Sequence, residues 1–140
     1  MVKTLIVTQG RLAEELLAAA EKIAGASPDV SALGLGWDDD PAEARTKVGA
    51  AIAELEAPDG VLVLTDMYGG TPYNVAAALE ETGRVAVVTG VNLPMVLRLE
   101  CMGREERPLE ELADWIRAKG RRAICRCGAG HAALAASTTS

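Results

Sequence analysis

Four short runs of Val, Leu and Ile recur along this chain, separated by segments of helical period: KTLIVT (3–8), VSALGLG (30–36), VLVLT (61–65) and RVAVVT (84–89). Runs this compact and this apolar fit strands buried on both faces, as in a parallel sheet covered by helices. Few folds accommodate a βαβαβαβ order. Right-handed crossovers place helices on both sides, giving a three-layer α/β/α architecture. Strands so connected split about the first one, in the order 2-1-3-4. The crevice then opens where the first and third strands lie side by side, at their carboxyl ends. Those ends are TQG (8–10) and TDMYGGTPYN (65–74).

The intervening segments carry helix signals. In residues 11–24, Leu12, Leu16, Leu17, Ala20 and Ile23 form one stripe, and Gly25 suits the stop. In DPAE, Asp40 can cap, Pro41 takes the first helical position and Glu43 follows three residues after the cap. A third helix is expected from TPYN, with Thr71 as cap and Pro72 first, ending at Gly83. Helical pattern returns at 94–102 and 108–120. RRAICRC (121–127) reads as a last, antiparallel edge strand, on which Cys125 and Cys127 share one face as small core residues. The domain is thus expected over 1–127, with 128–140, GAGHAALAASTTS, as a flexible tail or linker stub.

At 140 residues the chain suits one domain. Its net charge of −6 argues against a nucleic-acid surface, which needs a basic footprint. No apolar run approaches the ~20 residues of a membrane helix, and MVKTLIVTQG lacks the apolar stretch and cleavage site of a signal peptide. Three cysteines, an odd count, fit a reducing compartment. A cytoplasmic location is expected.

The third-strand loop carries the densest chemistry. Asp66 follows an apolar strand, where a carboxylate is costly unless it is bonded or paired. Gly69 and Gly70 allow close backbone approach, and Thr71 and Pro72 open a helix whose N-terminus favours an anion. Two readings stand: a small anion cradle beside a carboxylate, or an Asp that caps its own turn beside a glycine bend. In TGVNLP (89–94), Asn92 either reaches across the cleft or fixes the turn before Pro94. Thr8, Gly10, Met67, Tyr68 and Asn92 are candidate cleft-lining residues, and Trp37 lies at the same edge.

Other signals point to structure. WDDD (37–40) reads as a capping acidic turn rather than a cation site, and CRC with His131 lacks the ligand spacing of a zinc centre, so no metal and no cofactor are expected. His131 stands in the tail without an orienting neighbour. The five basic residues of RAKGRRAICR (117–126) suit either an acidic partner or a helix end followed by an edge strand.

The segments VTQGRLAEELLAAAEKI, DGVLVLTDMYGGTPYNVAA and VVTGVNLPMVL, in this order and spacing, resemble the IIA component of the mannose/fructose/sorbose family of the bacterial sugar phosphotransferase system, over about residues 2–127. The resemblance implies a phosphotransferase that carries phosphoryl on a histidine in the first strand-to-helix turn. That histidine receives the group from HPr and passes it to IIB, which phosphorylates sugar delivered by membrane IIC and IID subunits. The family's histidine falls on Gln9, its carboxylate partner on Asp66, and its phosphoryl-cradling loop on Gly69, Gly70 and Thr71. It also implies a homodimer that exchanges the last strand.

Gln9 departs from that pattern. A carboxamide nitrogen has its lone pair delocalised into the carbonyl and cannot attack phosphorus usefully. It can stand where a neutral imidazole would, its NH2 donating to Asp66. The expectation is a IIA site whose geometry persists without its nucleophile, or a non-catalytic regulatory module binding HPr or IIB. A receiver-like domain phosphorylated on Asp66 would need acidic residues after the first strand to hold Mg²⁺, where this chain has Thr8, Gln9 and Gly10.

Overall fold

The structure is a computed structural model describing residues 1–101 and 106–128. In chain order it runs β1 (Lys3–Gln9), α1 (Leu12–Ala24), β2 (Val30–Leu35), α2 (Pro41–Glu54), β3 (Val61–Thr65), α3 (Thr71–Ala78), β4 (Val85–Thr89), α4 (Leu93–Cys101) and α5 (Leu109–Arg122). The four strands are all parallel, in the order β2-β1-β3-β4, as the alternation of elements requires.

Alternation along each strand sorts the core into two layers. Ile6, Leu62, Leu64, Ala86 and Val88 face one side, with α1, α4 and α5 over them. Leu5, Val7, Val61, Val63 and Val85 face the other, under α2 and α3. Both faces are therefore covered, which is why the strand sequences show no polar alternation. One buried group is out of keeping with its surroundings: among the described residues neither carboxylate oxygen of Glu100, on α4, has a hydrogen-bond partner. Burial pushes its carboxyl above the usual range. The Ser27 amide, near but outside bonding geometry, partly offsets this, and Glu21 adds to it.

Several start and stop signals act as the sequence suggests. The Glu43 N–H donates to Asp40 Oδ1 at 2.8 Å, with Pro41 first in α2. Gly25, at φ +86°, closes α1 by donating its N–H to the Glu21 carbonyl.

Other expectations are corrected. The buried residues of α1 are Ala13 and Ala20, with Leu17 packed at the margin, whereas Leu12 and Ile23 are exposed. Small residues occupy the closest approach of α1 to its neighbours, so the inward stripe is rotated away from the largest side chains. α3 starts from Gly70 as its cap, without a side-chain cap bond, and ends at Ala78, well before Gly83.

The expected strand over 121–127 is absent from the described chain. α5 runs through Gly120 to Arg122, and residues 124–126 carry no regular structure. The reason lies in Gly120, which is buried against Met95, where a Cβ would collide with its side chain. This glycine serves close helix packing and does not stop the helix. Cys125 and Cys127 are accordingly exposed rather than core residues. His131 and the tail from 129 lie outside the described residues.

Candidate functional site

β1 and β3 end together at one edge of the sheet. Their register pairs Val7 with Thr65, so one step further Thr8 stands beside Asp66, in the middle of the sheet. The fold thus brings together two turns that are more than fifty residues apart in sequence.

The first turn is tightly built. Gln9 closes β1 opposite Leu35, and the Gly10 N–H donates to the Leu35 carbonyl at 2.8 Å. Gly10 has φ +63°, and the Trp37 indole lies over it so closely that a Cβ there would sit 2.9 Å from Nε1. A Cβ on Gly34, beside it on β2, would run into the Gly10 carbonyl oxygen. The hydroxyl of fully buried Thr8 accepts the Ala13 N–H at 2.8 Å. It satisfies an orphan donor in the first turn of α1 from outside the helix, where the N-cap residue Arg11 contributes no side-chain cap bond.

The third-strand turn is open. Among the described residues Asp66 Oδ1 accepts the N–H of Met67, its own neighbour, at 3.0 Å, one residue short of the bond that would cap the turn. No hydrogen bond joins the Gln9 side chain to Asp66, so the expected amide-to-carboxylate contact is not formed. Gly69, at φ +83°, has nothing within 4 Å of where a Cβ would be. Gly70 and Thr71 lead into α3, and Asn74 Nδ2 donates to the Gly69 carbonyl at 3.3 Å, steadying the loop from inside the helix. Met67 and Tyr68 are 62% and 75% exposed, and Trp37 across the edge is 74% exposed.

Asn92 does not reach into the cleft. Its Oδ1 accepts the Met95 N–H at 3.1 Å and its Nδ2 donates to the Gly120 carbonyl at 3.2 Å, fixing the turn that opens α4 and fastening it to α5. The acidic turn also has structural work. Asp39 accepts from the Gly36 N–H and from Lys47 Nζ at 2.7 Å, and Lys47 first, then Gly36, hold its carboxyl below the usual range. Among the described residues no group of acidic, Cys or His side chains is arranged to hold a metal ion.

Three features of this edge escaped the sequence. Thr65 and Thr89, paired across β3 and β4, both carry buried hydroxyls with no hydrogen-bond partner among the described residues. The repeated endings VLVLT and VAVVT are the only sequence trace of that pair. Tyr68 and Tyr73 pack with ring centres 4.7 Å apart and planes tilted by 43°, and desolvation, then Tyr68, raises the Tyr73 phenol above its ordinary range. Trp37 seats over Gly10, a contact with no local signal. Two cavities of about 530 and 730 Å³ lie at the opposite, amino edge, around Asp59 and Leu109 and around Ile52 and Arg84. Met67, Tyr68 and Trp37, all exposed, form the rim at the carboxyl edge.

The family model described as PTS system fructose IIA component matches residues 3–116. This chain belongs to the mannose-type IIA family of the sugar phosphotransferase system. It is similar to the PTS system mannose-specific EIIAB component of Escherichia coli K12, with 36% identity over 113 residues, 76% of this chain and 33% of that protein. The chain therefore spans about a third of the length of the mannose-specific relatives it matches. The PTS system fructose-specific EIIA component of Bacillus subtilis is 33% identical over 84 residues, 59% of this chain and 57% of that protein.

Solved IIA structures share the fold. The mannose/sorbose-specific IIA subunit from Enterococcus faecalis superposes with TM-score 0.79 at 31% identity, covering 89% of this chain and 92% of that one. EIIA from Streptococcus agalactiae gives 0.79 at 27%, covering 90% and 97%. Like the fold, the sheet order of this IIA chain follows from its alternating elements. In this IIA chain no helix among the described residues is long and apolar enough to cross a membrane.

Proposed function

We propose that this chain is a cytoplasmic IIA component standing between HPr and a IIB protein, with its phospho-acceptor seat occupied by a residue that cannot react. In a working site of this design, a neutral histidine at position 9 would attack the phosphorus of phospho-HPr. The nitrogen–phosphorus bond to HPr breaks as a new one forms, and the HPr imidazole keeps the departing electron pair. The accepting ring becomes cationic, and Asp66 beside it stabilises that charge. The amides of Gly69 and Gly70 and the Thr71 hydroxyl would spread the charge of the phosphoryl oxygens. Transfer to IIB reverses these steps, and IIB phosphorylates sugar brought by IIC and IID.

The observation that carries this reading is the position of Gln9, at the end of β1 beside the Asp66 loop and framed by Gly10, Gly34 and Trp37. A carboxamide there has neither a nucleophilic lone pair nor a proton to exchange near neutral pH. The test is labelling from radioactive phosphoenolpyruvate with its kinase and HPr. No label is expected on the chain as written, and stoichiometric, acid-labile label is expected on Gln9→His. Stoichiometric label on the Gln9 protein would sink the proposal.

A second reading has its own support: the exposed rim of Trp37, Met67 and Tyr68 persists although the reacting group does not. Exposed aromatic and Met side chains around a shallow site suit protein docking. On this reading the chain is a regulatory module that binds HPr or IIB without accepting phosphate. Residues 1–127 form its domain in either case, 128–140 serve as tail or linker, and a homodimer exchanging the segment 121–127 fits the exposed course of 124–127 beyond the end of α5.

A further inference from the structure

The sheet has two outer strands, β4 on one flank and β2 on the other, and the chain treats them differently. The flank of β4 is closed by the residues before it. Glu81 and Val85 exchange both backbone hydrogen bonds, at 3.0 and 2.8 Å, and the Val87 N–H donates to the Glu80 carboxylate at 3.1 Å. The flank of β2 is bare. At its two ends the Thr4 N–H donates to the Asp29 carbonyl and the Gly10 N–H to the Leu35 carbonyl. Alternation in a parallel ladder then turns residues 29, 31, 33 and 35 toward β1 and points the backbone groups of Ala32 and Gly34 outward. Among the described residues those groups have no hydrogen-bond partner. Outer strands are usually guarded by charge, proline or a covering segment. The sequence of β2, VSALGL, contains neither charge nor proline.

α1 leaves the same flank apolar. It packs on β1 and β2, with α4 at one side of it. Glu21, the residue of α1 that bears on Glu100 of α4, marks that side. Leu12, Leu16, Ala19 and Ile23 recur at steps of four, three and four, so they share the opposite side of the helix, toward the open flank of β2. Leu12 and Ile23 are 47% and 67% exposed, and Leu16 and Ala19 are half-buried. One exposed apolar side chain is ordinary, whereas a row of them beside an unguarded ladder is not.

We infer that two copies of this chain join along β2, strand against strand and antiparallel, with α1 packed on α1, so that one sheet runs through both. A second copy suits this flank better than a foreign strand does. A lone extended segment would satisfy Ala32 and Gly34 but leave the row on α1 in water. A second copy brings its own α1 to cover that row. The spacing agrees. With α1 seated above the β1–β2 pair, two such helices related by a twofold axis at the junction stand two strand spacings apart, roughly 9.6 Å. That lies within the usual interaxial distance of packed helices. The same axis runs the helices antiparallel, setting Leu12 of one copy toward Ile23 of the other and Leu16 toward Ala19. The contact is separate from any exchange of 121–127, because α5 packs on β3 and β4 in the other half of the sheet. Nor does it depend on the phosphoryl reading of the site.

The test follows amide hydrogen exchange, and mass by analytical ultracentrifugation, on the full chain from low micromolar to near-millimolar protein. The forms compared are the unaltered chain, Ile23→Lys and Leu16→Lys/Ile23→Lys. Unchanged thermal unfolding in dilute solution shows that a variant is folded, and Ile23→Lys, at the more exposed position, serves alone where the double variant is not. In the unaltered chain the amides of Ala32 and Gly34 are expected to exchange freely when dilute and about tenfold or more slowly when concentrated. The mass should double over the same range, and the lysine variants should lose both changes. Equal exchange of these two amides at both concentrations overturns the inference even where the mass rises, since association then runs through another surface such as 121–127. Slow exchange at every concentration also overturns it, because the strand is then covered by its own chain. Protection that rises with concentration in spite of the lysines overturns the packing of α1 on α1. Protection that appears only when purified HPr or purified IIB is added overturns it in favour of a foreign partner. Phosphate labelling of Gln9→His decides the phosphoryl reading separately.

Discussion

The two walls of the cleft are both strand-to-helix turns with a glycine at positive φ, yet they are built on opposite plans. The turn after β1 is full: Trp37 covers Gly10, Gly34 presses on its carbonyl, and the Thr8 hydroxyl is spent on Ala13. The turn after β3 is vacant by comparison. Among the described residues, Gly69 faces open space, Asp66 is held only by its own neighbour, and the Thr65 hydroxyl beneath has no partner. The difference teaches where each wall spends its glycines. In the first they solve a packing problem and hold position 9 in a fixed place. In the second nothing in the molecule needs the space, which is how a loop looks when the missing neighbour comes from outside.

Substitutions can break that contrast. The largest effect is expected from Gly34→Ala, where the added methyl meets backbone and not a flexible side-chain tip. A loss of about 3 kcal/mol should appear as a fall in Tm of roughly 10 °C by calorimetry. Next come the two turn glycines themselves. Gly10→Ala combines left-handed strain with displacement of Trp37 and should cost about 2 kcal/mol. Gly69→Ala carries the strain alone, at about 1 kcal/mol. Equal costs in urea titrations would dissolve the distinction between a packed and an open turn. The smallest effect concerns the two buried threonines. Thr8→Val strands the Ala13 N–H and should cost about 1 kcal/mol. Thr65→Val removes an unpaired hydroxyl and should leave stability within about 0.5 kcal/mol of the parent or raise it. A costly Thr65→Val would show that this hydroxyl has a partner after all.

Much of the fold could be read because the strands are short, apolar and separated by helical period, and the crossover rule then orders them. The cap at Asp40 and the stop at Gly25 were legible for the same reason, since each is a local hydrogen bond. Gly120 was misleading. A glycine near the end of a helical pattern looks like a stop, but its reason to exist is Met95 on another helix, a contact between residues far apart in sequence. The phase of α1 was lost in a similar way, because Leu12 and Ile23 outrank Ala13 in hydrophobicity while the packing distance favours alanine. At the candidate site, the positions at the ends of β1 and β3 followed from topology. Asn92 as a clasp, Trp37 over Gly10 and the unpaired hydroxyls of Thr65 and Thr89 did not, since each depends on side chains meeting across the folded edge.

The two hydrogen bonds of Asn92 also bear on how this edge opens. The side chain ties the start of α4 to the last turn of α5, and Val91 beside it is tied to β3. Fraying at the end of α5 therefore does not stay local. To release Gly120 the chain gives up the Asn92 turn as well, so the amides of Val91 and Met95 are expected to exchange with solvent together with those of the last helical turn, as one cooperative unit. The end of α5 is consequently a part of the molecule whose order is shared with the loop beside Asp66, and whatever steadies one steadies the other.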